Sequence, residues 1–202
     1  VTTYREQRRG GQGVMGMDLK EDDYIEHLFV ASTHDYILFF TSVGKVYRLK
    51  VHELPLGSRQ SKGRAIVNLL PFRQDEQVRA VIQTRAFEEA EYLVFATKKG
   101  VVKKTKLAAY NTPLRSDGII AIKMRDGDEL VAVRHCSPGD DILLVSRKGQ
   151  TIRFKESLAR PMGRATAGVI GMRLADDDEV IELCLTSEGE EMISASQNGY
   201  GK

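Results

Sequence analysis

Tyr92-Leu93-Val94-Phe95-Ala96-Thr97-Lys98-Lys99-Gly100-Val101-Val102-Lys103-Lys104 is an apolar, β-branched and aromatic run, a short glycine-bearing turn, and a second run. That order reads as two antiparallel strands joined by a tight turn. The scheme recurs at 36–48, 141–153 and 191–200, with turn glycines at Gly44, Gly100, Gly149 and Gly199. A second series, Gly13, Gly63, Gly118 and Gly168, keeps the same period of about 50 residues. Two independent markers in one period define a repeat. Further strand-like runs follow the second series. Residues 119–124 lead through Asp126-Gly127-Asp128 into 130–133, and 169–174 lead through Asp176-Asp177-Asp178 into 180–185, which predicts a second hairpin in each unit. No stretch sustains a 3.6-residue apolar period.

The expected fold is therefore all-β, a propeller-like pinwheel of repeated four-stranded blades, with about four strands per 50 residues. One domain over 1–202 is expected, with repeat units at 14–62, 63–117, 118–167 and 168–202. Roughly four units are too few to close a ring, so an open arc or a β-solenoid also fits the pattern.

The chain of 202 residues is 42% hydrophobic and 29% charged, enough for a packed core of one or two domains. It has no apolar run long enough to span a membrane and no secretory leader. Its pattern breaks off in mid-unit at Gly201-Lys202, as in a fragment of a longer protein. Cys136 and Cys184 make no disulfide framework and read as reduced strand residues in a cytoplasmic protein. The four histidines, at 27, 34, 52 and 135, do not fall at metal-ligand spacings with the cysteines. The aspartate clusters lack the glutamate of a calcium loop and read as turns. No P-loop and no base-oriented nucleophile is visible, so the stretch reads as non-catalytic and without a cofactor of its own.

Net charge is only +2, but charge follows the repeat. Lys45, Arg48, Lys50, Arg59, Lys62 and Arg64 meet one acid, Glu53, between 44 and 64. Lys98, Lys99, Lys103, Lys104, Lys106 and Arg115 meet none between 98 and 115. Arg147, Lys148, Arg153, Lys155, Arg160 and Arg164 meet only Glu156 between 147 and 164. Repeated in space, these clusters would form a basic stripe along one edge, the electrostatic footprint of a nucleic-acid binder.

At the N-terminal end, Gln7-Arg8-Arg9-Gly10-Gly11-Gln12-Gly13 places two arginines among three glycines. Arginine presents a donor fork that suits phosphate, and glycine lets backbone approach a ligand closely. The run 11–16 formally fits G-x-G-x-x-G, but a dinucleotide site needs a strand before it and a helix after it, and neither pattern is present. In phase with Gly63, Gly118 and Gly168, the heptad fills the slot between hairpins. Elsewhere that slot holds simpler basic connections, 59–64, 115–118 and 160–168.

This heptad resembles the hallmark of the C-terminal domain family of bacterial DNA gyrase A, Gln-[Arg/Lys]-Arg-Gly-Gly-[Arg/Lys]-Gly, the gyrase A box. Six of its seven positions match, and Gln12 stands where a basic residue is usual. The Thr/Ser-x-x-Gly-x-x-x-Arg/Lys repeat strands extend the resemblance along the chain. The resemblance implies a six-bladed β-pinwheel with strands exchanged between neighbouring blades. It implies that the domain wraps double-stranded DNA around a basic rim, largely independently of sequence, and presents it in a positive crossing for ATP-dependent negative supercoiling. The implied partners are the N-terminal breakage–reunion domain of the same chain and the ATPase subunit of the holoenzyme; ATP and magnesium would be used there, and no membrane is involved. Residues 7–13 would grip DNA. Lys45, Arg48, Arg59, Lys62, Arg64, Lys98, Lys99, Lys103, Lys104, Arg147, Lys148 and Arg153 would line the rim. The C-terminal domain of topoisomerase IV, a cousin that typically lacks an intact box, is one alternative. A propeller used only as a protein-interaction platform and an enzyme with a site in a propeller channel are the others.

Overall fold

A computed structural model describes residues 7–13, 16, 17, 19, 25, 27–58, 60–88, 91–113, 115–189 and 191–202. Strands form where the apolar runs lie: β1 (Tyr36–Thr41), β2 (Lys45–Lys50), β3 (Val78–Thr84), β4 (Tyr92–Thr97), β5 (Val101–Lys106), β6 (Ile119–Ile120), β7 (Leu130–Cys136), β8 (Asp141–Ser146), β9 (Thr151–Lys155), β10 (Val169–Ile170) and β11 (Val180–Leu185). Among the described residues there is no α-helix; short 3-10 turns occupy Val51–Glu53, Ile66–Asn68, Leu107–Tyr110 and Glu156–Leu158.

The strands make three antiparallel sheets, ordered β3-β1-β2-β6, β10-β5-β4-β7 and β11-β8-β9. The first-series hairpins are present as β1–β2, β4–β5 and β8–β9. Their registers coincide, with Tyr36 opposite Lys50, Tyr92 opposite Lys106 and Asp141 opposite Lys155. The fourth, around Gly199, closes only an isolated bridge between Ala195 and Gly201. A bulge also repeats, at Phe40/Thr41 against β3 and at Ala96/Thr97 against β7.

The expected second hairpins do not form. β6 pairs with β2 of the preceding sheet, whereas β7, just past the Asp126-Gly127-Asp128 turn, pairs with β4. Likewise β10 pairs back onto β5, while β11 pairs with β8. The aspartate turns are thus crossovers between sheets. Handing a two-residue strand backwards covers the outer edges of β2 and β5, which a local hairpin would leave unpaired. Strand exchange, expected from the family resemblance, is what the chain does. Each four-stranded sheet consequently draws strands from three successive sequence units.

On the other edge, β7 packs against both β3 and β11, so these three strands form the inner edge and β6 and β10 the outer one. Two apolar layers lie between the sheets. Leu38, Phe40, Leu93, Phe95, Tyr110 and Ile122 fill the first, and Val94, Val102, Ala132, Ile142, Leu144 and Leu183 fill the second. Phe40 meets Phe95 and Tyr110 edge-on at 5.4 and 5.7 Å. β4 is apolar on both faces because it is buried on both faces, which explains the near-continuous run of the opening stretch.

The second glycine series has a local cause. Gly168 takes φ +87° as its connection turns into β10, and a Cβ there would lie 2.6 Å from the Val102 carbonyl oxygen. Gly168→Ala therefore adds left-handed strain to a backbone clash. A loss of about 2–4 kcal/mol is expected in denaturant unfolding, with the denaturant slope unchanged.

Candidate nucleic-acid interface

The heptad folds on itself. The Gly13 N–H donates to the Gln7 side-chain Oε1 at 3.0 Å, and the Gly11 N–H donates to the Arg8 carbonyl at 3.0 Å. Gly10 and Gly13 both take positive φ, +87° and +72°. Gln7 is thus a staple that shapes the loop, and Arg8, Arg9 and Gln12 stand exposed on it.

The strand and tip cations of the expected rim have other work. At the hairpin tips, Lys98 pairs with Glu129 at 3.1 Å and approaches Glu179 at 3.9 Å, and Arg147 pairs with Glu179 at 3.6 Å. The Nζ atoms of Lys99 and Lys148 donate to the carbonyls of Asp126 and Asp176 at 2.7 and 2.8 Å. Basic tips and acidic turns therefore meet at one place, rather than separating into a basic and an acidic edge. The acids are structural as well: Asp128 and Asp178 accept the backbone N–H groups of Lys99 and Lys148, both at 3.0 Å. Burial works to raise the Asp178 carboxyl, but hydrogen bonds from Ser146 and from the Lys148 and Glu179 backbones outweigh it and hold it below its usual range.

Mid-strand cations pin one sheet to the next. Arg48 donates to Asn111 Oδ1 at 3.2 Å and to the Thr112 carbonyl at 2.7 Å, while its guanidinium lies over Tyr36 and Phe87 at 5.0 and 5.3 Å. Lys104, at the matching position of β5, is buried in an ion pair with Glu156. Its carbonyl accepts the Met162 N–H at 2.8 Å. Arg153, the third of the series, pairs with Asp141 of its own sheet at 2.6 Å. Lys103 is fully buried. Lys103 and Lys104 are therefore corrected from rim contacts to internal pins, the first held by the carbonyls of the returning connections and the second, on the opposite face of β5, by Glu156. Arg48 is tied to the next unit but stays partly exposed. Arg59 lies outside the described residues.

Lys103 also bears on stability. Burial, and then the nearby Arg164 charge, lower its pKa from the ordinary 10.5 to about 7. Between those values the unfolded chain holds a proton that the folded chain has released, so this group makes stability rise with pH across that window.

Most of the cations left free lie off the strands. Among the described residues Arg8, Arg9, Lys62, Arg64, Arg115 and Arg160 in the slots between hairpins are exposed and make no ion pair, as do Lys106 at the end of β5 and Arg73, Arg85, Lys123, Arg125, Arg173 and Lys202 elsewhere. Arg115 and Arg160 precede the outer strands β6 and β10, and Lys45 Nζ ties to the Asp117 carbonyl of the same connection at 2.9 Å. Successive connections also touch: Arg164 donates to the Ile120 carbonyl at 2.6 Å, and the Lys123 N–H donates to the Thr166 carbonyl at 3.0 Å. These two connections thus form an unbroken stretch of the outer edge that carries Arg115 and Arg160. Lys106, Arg115 and Arg160 were visible in sequence only as members of phased clusters. The position of Arg115 and Arg160 after a hairpin and before a repeat glycine was the signal that separated them from the pins, whereas Lys106 closes the hairpin strand β5 itself.

These features define a propeller-like, strand-exchanged β-repeat domain with a cationic outer edge. The chain belongs to the family described as "DNA gyrase C-terminal domain, beta-propeller", which matches residues 1–32, 35–85, 91–137 and 140–183. It is 54% identical over 167 residues to the DNA gyrase A polypeptide of Mycolicibacterium smegmatis and 53% identical to that of Mycobacterium tuberculosis, covering 82% of this chain in each case. It spans about a fifth of the length of these relatives, 20% of each. Among solved structures it resembles the C-terminal domain of DNA topoisomerase IV, with TM-score 0.78 and 33% identity over 84% of this chain and 53% of that one. It also resembles a DNA gyrase A C-terminal domain, with TM-score 0.73 and 25% identity over 99% of this chain and 64% of that one. No helix among the described residues is long and apolar enough to cross a membrane.

Proposed function

We propose that this domain binds duplex DNA along its outer edge, bends it around that edge, and guides it in a positive crossing for negative supercoiling by the parent protein, a type IIA topoisomerase of the cytoplasm. The observation that carries this reading is the pair of unpaired cations, Arg115 and Arg160, on two outer-edge connections that abut one another. On this reading strand breakage belongs to an N-terminal breakage–reunion domain of the same polypeptide, and ATP hydrolysis with magnesium belongs to a partner ATPase subunit. The box residues 7–13 anchor one end of the wrap. Sequence identity to gyrase polypeptides and the near-complete heptad favour gyrase over topoisomerase IV.

Contacts of this kind reach phosphates and carry no sequence information, so binding is expected to be sequence-tolerant. Neutralising about 6 phosphates gives a log–log salt slope near −5, a loss of about 10³-fold in affinity between 50 and 200 mM salt. Titrating a duplex onto the protein across that range tests the reading, and a slope near zero sinks it.

A further inference from the structure

Lys103 is 0% exposed, and no carboxylate among the described residues pairs with it. Its Nζ donates to the Ala121 carbonyl at 2.6 Å and to the Arg164 carbonyl, and it lies 5.5 Å from the centre of the Phe95 ring. The two carbonyls belong to different connections. Ala121 directly follows β6, which the chain returns to the first sheet; Arg164 precedes β10, which it returns to the second. One ammonium therefore joins two successive segments of the outer edge. The matching side chain in β2, Tyr47, has a related role: its ring lies where a Cβ on Gly118 would come within 2.9 Å. Lys103 is in the same way beneath Gly168, its Cβ 3.1 Å from a Cβ built there. This position in the first two sheets supports the connection that crosses it, and of the two only the second supports it with a titratable ammonium.

We propose that Lys103 is a positioning residue for the DNA-binding edge: by bridging the Ala121 and Arg164 carbonyls, its ammonium sets the spacing between the cations carried by successive connections. The proposal rests on the DNA reading above. Burial and the Arg164 guanidinium bring the group's titration down to about 7, so the strength of the bridge changes near neutral pH. The neutral amine keeps two N–H donors but loses the charge assistance that makes such bonds strong. The other ionisable groups around it are Arg164, which donates to Ile120, and Tyr110, whose hydroxyl shares the Ala121 carbonyl at 3.2 Å. Neither supplies a counter-charge. Bound phosphate nearby favours the protonated form, so DNA binding is expected to take up a proton.

The test compares the full-length wild-type chain with its Lys103→Met variant, measuring the affinity for a linear duplex from pH 6 to 8.5 at fixed salt. Wild type is expected to lose about threefold to tenfold in affinity across that range, the difference between charged and neutral hydrogen bonds. Lys103→Met should bind more weakly at pH 6 and show a flatter profile, with the contribution of the four histidines left in place. Parallel profiles for the two proteins overturn the proposal. If the variant does not fold, NMR of ¹³Cε-labelled lysines in the wild type decides: one lysine titrating near neutrality, and shifting upward when DNA is added, supports it, and all lysines titrating near their ordinary value overturns it. Steep salt dependence without pH dependence defeats the Lys103 proposal alone; a wild type that binds no duplex defeats the DNA reading with it.

Discussion

Replacing residues 7–13 by alanine in the parent protein is expected to abolish negative supercoiling while leaving relaxation or decatenation in place. Two losses combine in that change. Arg8 and Arg9 are exposed and free of ion pairs among the described residues, so their removal deletes two phosphate grips. The loop that presents them is lost as well, because it is closed by the Gln7 side chain on the Gly13 N–H at 3.0 Å and needs positive φ at Gly10 and Gly13. Alanine cannot accept that hydrogen bond and resists that backbone. A fall in supercoiling rate on the order of 10²-fold or more follows if the wrap is fastened here, since each phosphate contact adds steeply to affinity. Gln7→Ala alone should reproduce much of the defect although its side chain never needs to touch DNA. A supercoiling rate unchanged by the seven-residue replacement would refute the box as the anchor.

The second large effect concerns stability. Lys104 and Glu156 are both buried; the lysine lies 4.5 Å from the Tyr92 ring centre, and the carboxylate also accepts the Gly139 N–H at 3.4 Å. The pair joins β5 to the 3-10 turn Glu156–Leu158, from which the chain runs on into the connection carrying Arg160. Lys104→Met leaves a buried carboxylate without its partner and is expected to cost about 3–5 kcal/mol, a large part of the roughly 5–15 kcal/mol that holds an ordinary domain folded. Adding Glu156→Leu removes the stranded charge and should recover much of that loss. Guanidinium unfolding of the two variants checks both statements. A single variant within about 1 kcal/mol of wild type would mean that the pair is open to water.

The repeat was plain in the sequence because both glycine series answer to backbone geometry: Gly44, Gly100, Gly149 and Gly199 all take positive φ. So do Gly13, Gly118 and Gly168; Gly63 does not, and the residues after it form the 3-10 turn Ile66–Asn68 in place of a donated strand. Partner choice was not legible. Ile119-Ile120 has the same apolar character whether it folds onto its own unit or onto Lys45-Val46 of the previous sheet. Nor could residue type separate pins from grips, since lysine is rarely buried. Lys103 is buried because the returning connection passes over it, Lys104 because Glu156 of the next unit pairs with it, and Arg48 is held because Asn111 and Thr112 reach it from the next unit. The surviving interface was legible as a slot between hairpins rather than as a set of strand positions.

The central claim is that DNA follows the outer edge. Fluorescence energy transfer between the ends of a labelled duplex tests it most directly, with wild type set beside a variant carrying Lys62→Ala, Arg64→Ala, Arg115→Ala and Arg160→Ala. Wild type should draw the ends together at low salt and release them as salt rises, and the variant should leave the duplex nearly straight with a salt slope shallower by about 3 to 4. Equal bending by both proteins, or bending indifferent to salt, would contradict the account.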